Sequence, residues 1–203
     1  LLLEQSQYLP NDFILNISRD IKLLSIPGAM LTGEQWIPIR RLVENISNLF
    51  RWFDAERRSA YPALAKVIAG TYYEKVIIEL IDEILDESGN VKDNASADLQ
   101  KIRMNLFRKR NELRRMFAKV VAKLAKAGYS ADIEESFSNG RRVVAVFSEH
   151  KRQIKGILHG ESDSRKTAFI EPEETIELNN DVFALEHDEG REIQRILREL
   201  TAR

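Results

Sequence analysis

SADLQKIRMNLFRKRNELRRMFAKVVAKLAKAG, residues 96–128, is the stretch from which the fold is read. It runs from Ser96 to Gly128 with no proline and no internal glycine. Leu99, Ile102, Leu106, Leu113, Met116, Phe117, Val120 and Leu124 recur mostly at spacings of three and four, the period of one helix face. Ser96 suits a helix N-cap, and Gly128 ends the run as a C′ glycine does. A helix of about 30 residues would span roughly 45 Å, more than a compact domain of this size needs. The stretch is also strongly basic: residues 97–127 carry 10 Lys and Arg against 2 Asp and Glu, net +8.

Downstream, the period changes. Two short β-prone runs flank Asn139-Gly140, a strong two-residue hairpin signal. The second, Arg142–Phe147, contains Val143, Val144 and Val146. Ile154–His159 and Thr167–Ile170 read as further strands around a polar turn. Glu171-Pro172-Glu173-Glu174 reads as a helix start, with proline in the first turn and carboxylates at the positive dipole end. Leu178, Val182, Leu185, Ile193, Ile196, Leu197 and Leu200 then continue a helical stripe. The expected assembly is a long helix out, a small β cap and a long helix back, the two stripes facing each other as an antiparallel coiled coil.

Upstream, residues 11–85 read as several helices. Pro27-Gly28 interrupts them, and Thr32 with Gln35 forms a capping box ahead of the Trp36–Phe53 stripe. Pro62 opens another segment, and Val76–Leu85 a further stripe. The fold class is therefore mainly α with a small antiparallel β subdomain. Residues 1–96 are expected to form a helical core or lever, 97–127 an outgoing arm, 128–175 the β tip and 176–203 the returning arm.

Hydrophobic residues make up 43% of the 203, enough for a core, and there is no cysteine, which excludes a disulfide framework and thiolate metal sites. No run approaches the roughly 20 apolar residues of a membrane span; Leu1-Leu2-Leu3 is only a short patch, and a cytoplasmic location without membrane contact is expected. The chain opens on leucine rather than methionine, so a piece of a longer protein is expected. The formal net charge of -1 hides the segregation that a partner would feel: net -4 over residues 1–96, +8 over 97–127, -2 over 128–175 and -3 over 176–203.

The sequence contains neither GxxxxGK[ST] nor GxGxxG nor HExxH. His159 lies near Ser162, Asp163 and Ser164, which could suggest a nucleophile system; a turn held by local hydrogen bonds is the favoured reading. The acidic run Glu171–Glu177 is read as a helix start rather than a metal site. No catalytic, cofactor-binding or metal-binding residue is assigned. The basic helix is read as either a solvated coiled-coil face or a phosphate-contacting surface, the second being favoured. Arg108, Arg115 and Lys119 on the helix, with Arg141, Arg142, Lys151, Arg152, Lys155, Arg165 and Lys166 in the tip, are the candidate nucleic-acid contacts. Such contacts would be sequence-independent and salt-dependent.

Three stretches carry a family resemblance. Leu85–Arg103 (LDESGNVKDNASADLQKIR) resembles the Gly-x-Val-x-Asp-x-Ala-Ser-x-x-Leu-x-x-Ile-Arg signature of the MutS family, in the bacterial branch that usually bears a Smr domain. Asn139–Val146 (NGRRVVAV) resembles that branch's Gly-Arg-Tyr-Val-Val-Pro-Val strand. Gly156–Asn180 is similar to its Gly-Ile-Val-His-Asp-x-Ser-x-Ser-Gly-x-Thr-x-Phe-Ile-Glu-Pro block. Arg142 stands where Tyr is usual, Ala145 where Pro is, Gly160 where Asp is and Arg165 where Gly is. Asp93, His159 and Glu171-Pro172 match as structural positions.

The resemblance implies a core or lever with a DNA clamp, in a dimeric protein that encircles DNA. An ATPase domain using ATP and Mg would lie outside this chain, as would the Smr domain. It implies double-stranded or branched DNA as partner, in repair or in control of recombination. A ribosome or structured RNA is an alternative partner, and a coiled-coil spacer without nucleic-acid binding is another reading. The fragment itself is expected not to be an enzyme.

Overall fold

The computed structural model describes residues 15–203, without the side chains of 132–135. Leu1-Leu2-Leu3 and the first residues of the 11–85 helical stretch lie outside the described residues. The chain divides into two compact units. One takes the described residues up to Ala97 together with Glu192–Arg203; the other is Asp98–Arg191.

The first unit carries α1 (Ser18–Leu24), α2 (Gly33–Trp52), α3 (Ala55–Ala60), α4 (Pro62–Ile68) and α5 (Val76–Ile84). The capping box is present: Gln35 N–H donates to the Thr32 hydroxyl at 3.3 Å, and Thr32 N–H to the Gln35 side chain at 3.0 Å. Leu31, Trp36, Ile39, Phe53, Ile81, Ile84 and Leu85 are buried. Arg40 on α2 donates twice to the carboxylate of Asp82 on α5, at 2.5 and 2.9 Å, and this holds the Asp82 carboxyl below its ordinary range. A Cβ on Gly33 would stand 1.8 Å from the carbonyl oxygen of Gly89, so the start of α2 lies directly on the 86–90 turn. The last residues of the chain belong to this unit as well: Leu31 N–H donates to the Thr201 hydroxyl at 3.1 Å. Glu192 accepts from Arg195 and from the Ser96 hydroxyl, and these bonds pull its carboxyl down to about 2.

The second unit combines most of two 30-residue helices, α6 (Ala97–Lys126) and α7 (Glu173–Ala202), with four strands. These are β1 (Ser130–Ser138), β2 (Arg141–Phe147), β3 (Gly156–Glu161) and β4 (Thr167–Pro172), with a 3-10 turn at Ser148–Gln153. The sheet is antiparallel in the order β1-β2-β4-β3. Asn139 (φ 49) and Gly140 (φ 78) both occupy left-handed backbone, as a type I′ hairpin turn demands. Gly156 pairs with Pro172, and a Cβ there would meet the Glu171 carbonyl oxygen at 2.1 Å, so only glycine fits.

Two apolar clusters hold this unit. Phe117, Val120 and Leu124 of α6 pack on Val144, Val146, Ala168 and Ile170 of the sheet. Leu106 and Leu113 of α6 pack on Leu178 and Val182 of α7. Ion pairs run alongside in opposite chain directions, Arg103 with Glu189 and Arg110 with Glu186, each at 2.7 Å, which makes α6 and α7 antiparallel within the unit.

Two local expectations are corrected. The returning helix starts at Glu173, and Glu171-Pro172 instead closes β4. The reason is that Glu171 has a buried ionic role in the sheet. His159 is likewise no turn residue: it lies in β3, and its Nε2 sits 2.8 Å from Glu171 Oε2 on the neighbouring strand.

Candidate nucleic-acid interface

At 100° per residue around α6, Lys101, Arg108, Arg115, Lys119 and Lys126 fall in one narrow arc, opposite the buried Leu106, Leu113, Phe117 and Leu124. All five are exposed. Arg108 donates to Asn105 at 3.3 Å. Among the described residues, Lys101, Arg115, Lys119 and Lys126 have no ion-pair partner. The row extends roughly 38 Å along the helix axis.

Among the described residues, four of the five other cations of α6 pair with α7, and Arg114 does not. Arg103 pairs with Glu189, Lys109 with Asp181 and Arg110 with Glu186, each at 2.7 Å, and Lys123 with Glu174 at 3.8 Å. The hydrogen bond to Asp181 raises Lys109 above the ordinary lysine value. The helix thus sorts its charge: flanking cations meet the acidic α7, and the outer row meets solvent. Of the sequence candidates, Arg108, Arg115 and Lys119 lie on the outer row. Lys101 and Lys126 belong there too, and sequence reasoning missed them. The seven-residue spacing of Lys101, Arg108 and Arg115 was the available signal.

The strand register separates the tip cations into two groups. Arg141, Arg142 and Lys155 lie at the sheet end that carries the Asn139-Gly140 turn and leads into α7. Lys151, Arg152, Arg165 and Lys166 lie at the opposite end, where α6 enters. There Ser148 N–H donates to the Lys166 carbonyl at 3.0 Å, which sets the 3-10 turn beside the 162–166 loop.

Arg152, Lys155, Arg165 and Lys166 are exposed. Lys151 is paired with Glu161. Arg141 is tied inward: it donates to Glu171 at 2.6 Å and also bonds Asn180. Glu171 is wholly buried and additionally accepts from Asn179 Nδ2 at 3.0 Å. Arg141, His159 and Asn179 thereby satisfy one buried carboxylate, which links β2, β3, β4 and α7. The Arg142 guanidinium lies 5.0 Å from the centre of the Phe117 ring and 5.8 Å from that of Phe137, a cation–π position that sequence reasoning did not foresee.

His159 is engaged by Glu171. The Ser162 hydroxyl accepts from Thr167 N–H at 3.2 Å and lies 3.3 Å from the Ser164 hydroxyl, so these serines shape the turn. Among the described residues, no group of three or more His, Asp or Glu could hold a metal ion, and no helix is long and apolar enough to cross a membrane.

No family model matches the chain. It is similar to the Endonuclease MutS2 of Latilactobacillus sakei subsp. sakei, 32% identical over 188 residues, which is 92% of this chain and 24% of that protein. The Endonuclease MutS2 of Lactococcus lactis subsp. lactis is 30% identical over 174 residues, 86% of this chain and 22% of that protein. That of Aquifex aeolicus is 28% identical over 181 residues, 89% and 24% respectively. The chain spans about a quarter of the length of these curated relatives.

Proposed function

The chain belongs to the MutS family, and on that premise we propose that it is a non-catalytic lever and clamp segment that holds the phosphate backbone of double-stranded or branched DNA for a larger ATPase acting in repair or recombination control. The observation that carries this reading is the outer row of α6. Five exposed cations stand in line, remote from the acidic helix that neutralises their neighbours. A row of fixed positive charge attracts a polyanion and releases its counterions. Lys and Arg contacts to phosphate fix position without reading bases. Arg152, Arg165 and Lys166 add exposed charge at the sheet end that follows α6.

The residues present do not fit ATP, because the chain has no phosphate-binding loop. Nucleotide hydrolysis with Mg, and the endonuclease activity in the relatives' name, are assigned to other parts of a longer, dimeric protein.

Titration of the chain with a labelled duplex at several salt concentrations tests the proposal. Sequence-independent binding that weakens linearly in log salt is expected. Replacing Arg108, Arg115 and Lys119 with Ala should lower the magnitude of the log–log slope by about one for each phosphate no longer neutralised. No binding at low salt, or an unchanged slope in the triple variant, would refute it.

A further inference from the structure

A second surface of the Asp98–Arg191 unit remains unexplained by duplex binding. Phe107 on α6 is 72% exposed and Phe137 on β1 is 69% exposed. A phosphate backbone has no use for either ring. Both nevertheless stand beside arginines of one group. Phe137 lines a cleft of about 190 Å³ together with Arg110, Arg114 and Arg142. Phe107 precedes Arg110 by three residues and Arg114 by seven, spacings that put all three on one side of α6. Arg114 is exposed and has no ion-pair partner among the described residues. Met104, one turn before Phe107, is exposed as well. Phe107 and Arg114 lie about a quarter-turn or more around α6 from the centre of the Lys101–Lys126 row.

We propose that this face binds single-stranded nucleic acid, with unpaired bases stacked on Phe107 and Phe137 and the intervening phosphate held by Arg114. The chemistry that selects this ligand is the combination. Rings alone would suit any apolar partner, and cations alone any polyanion. Exposed rings interleaved with an unpaired guanidinium suit a strand whose bases have free faces. In a duplex the base faces are already stacked on one another and cannot reach the rings. The proposal is independent of the duplex reading, since it uses different residues on a different face.

The test is fluorescence anisotropy of the 203-residue chain with a labelled oligothymidine and, separately, a labelled duplex, at matched salt. Phe107→Ala should weaken oligothymidine binding about tenfold and leave duplex binding within about twofold. Phe107→Leu, which keeps an apolar side chain at an exposed site and so preserves the fold, should give nearly the same loss. The Arg108, Arg115 and Lys119 alanine variant should show the opposite pattern, weakening duplex binding more than oligothymidine binding. The proposal is overturned if the parent chain does not bind oligothymidine, if both Phe107 variants bind it as the parent does, or if they weaken for duplex and single strand equally.

Discussion

Arg165 holds a left-handed backbone conformation, φ 56, in the turn between β3 and β4. The family pattern has glycine at this position, and the structure keeps the glycine-type backbone while changing the residue. Standing there costs an L-residue roughly 1–2 kcal/mol. Its side chain is exposed, so no packing is lost by removing it. Arg165→Gly should therefore stabilise the chain by about 0.5–1 kcal/mol after the added chain entropy of glycine, seen as a higher urea midpoint with an unchanged slope. A lower midpoint would mean that the arginine makes a compensating interaction. The strained turn was legible in the sequence as a departure from the family block. The partners of Glu171 were not. Two of them, His159 and Arg141, come from 12 and 30 positions away on other strands and the third, Asn179, from α7, and no local pattern announces that a carboxylate flanking a proline will be buried with them.

At the scale of the element, α6 performs two tasks with two faces. Its apolar period was readable because a helix of 30 residues repeats its signal many times. The outer row could be read from its spacing, but which flanking cations pair with α7 was not readable, because that depends on where α7 lies. The strand order was equally hidden: β4 lies between β2 and β3, and short strands carry no mark of which neighbour they choose. The separation of faces has a measurable consequence. Leu113 is buried against Leu178 and Val182, so Leu113→Ala should cost about 2–5 kcal/mol in urea unfolding. Arg115 lies in the same turn but is exposed, so Arg115→Ala should cost less than about 0.5 kcal/mol. Comparable losses from both would mean that the outer row is held in place by the fold and is not free to meet a ligand.

For the whole molecule, the question is whether net charge or local field governs binding. The formal net charge is -1 and the sequence pI about 6.4, so the average molecule is weakly anionic above that pH. If net charge governed, affinity for DNA would fall steadily as pH rises through 6.4. The outer row of α6 consists only of Lys and Arg, which stay charged well beyond about pH 8. No histidine belongs to it, and carboxyl groups as a class have reference values well below about pH 6. The screening length at 0.1 M salt is about 10 Å. A phosphate at the outer row therefore feels the nearest cations far more than the net total. Duplex affinity measured at constant ionic strength should change by less than about threefold between pH 6 and pH 8.5. A steep loss across that range would show that histidine protonation or total charge drives association, and would remove the reason for assigning DNA binding to α6.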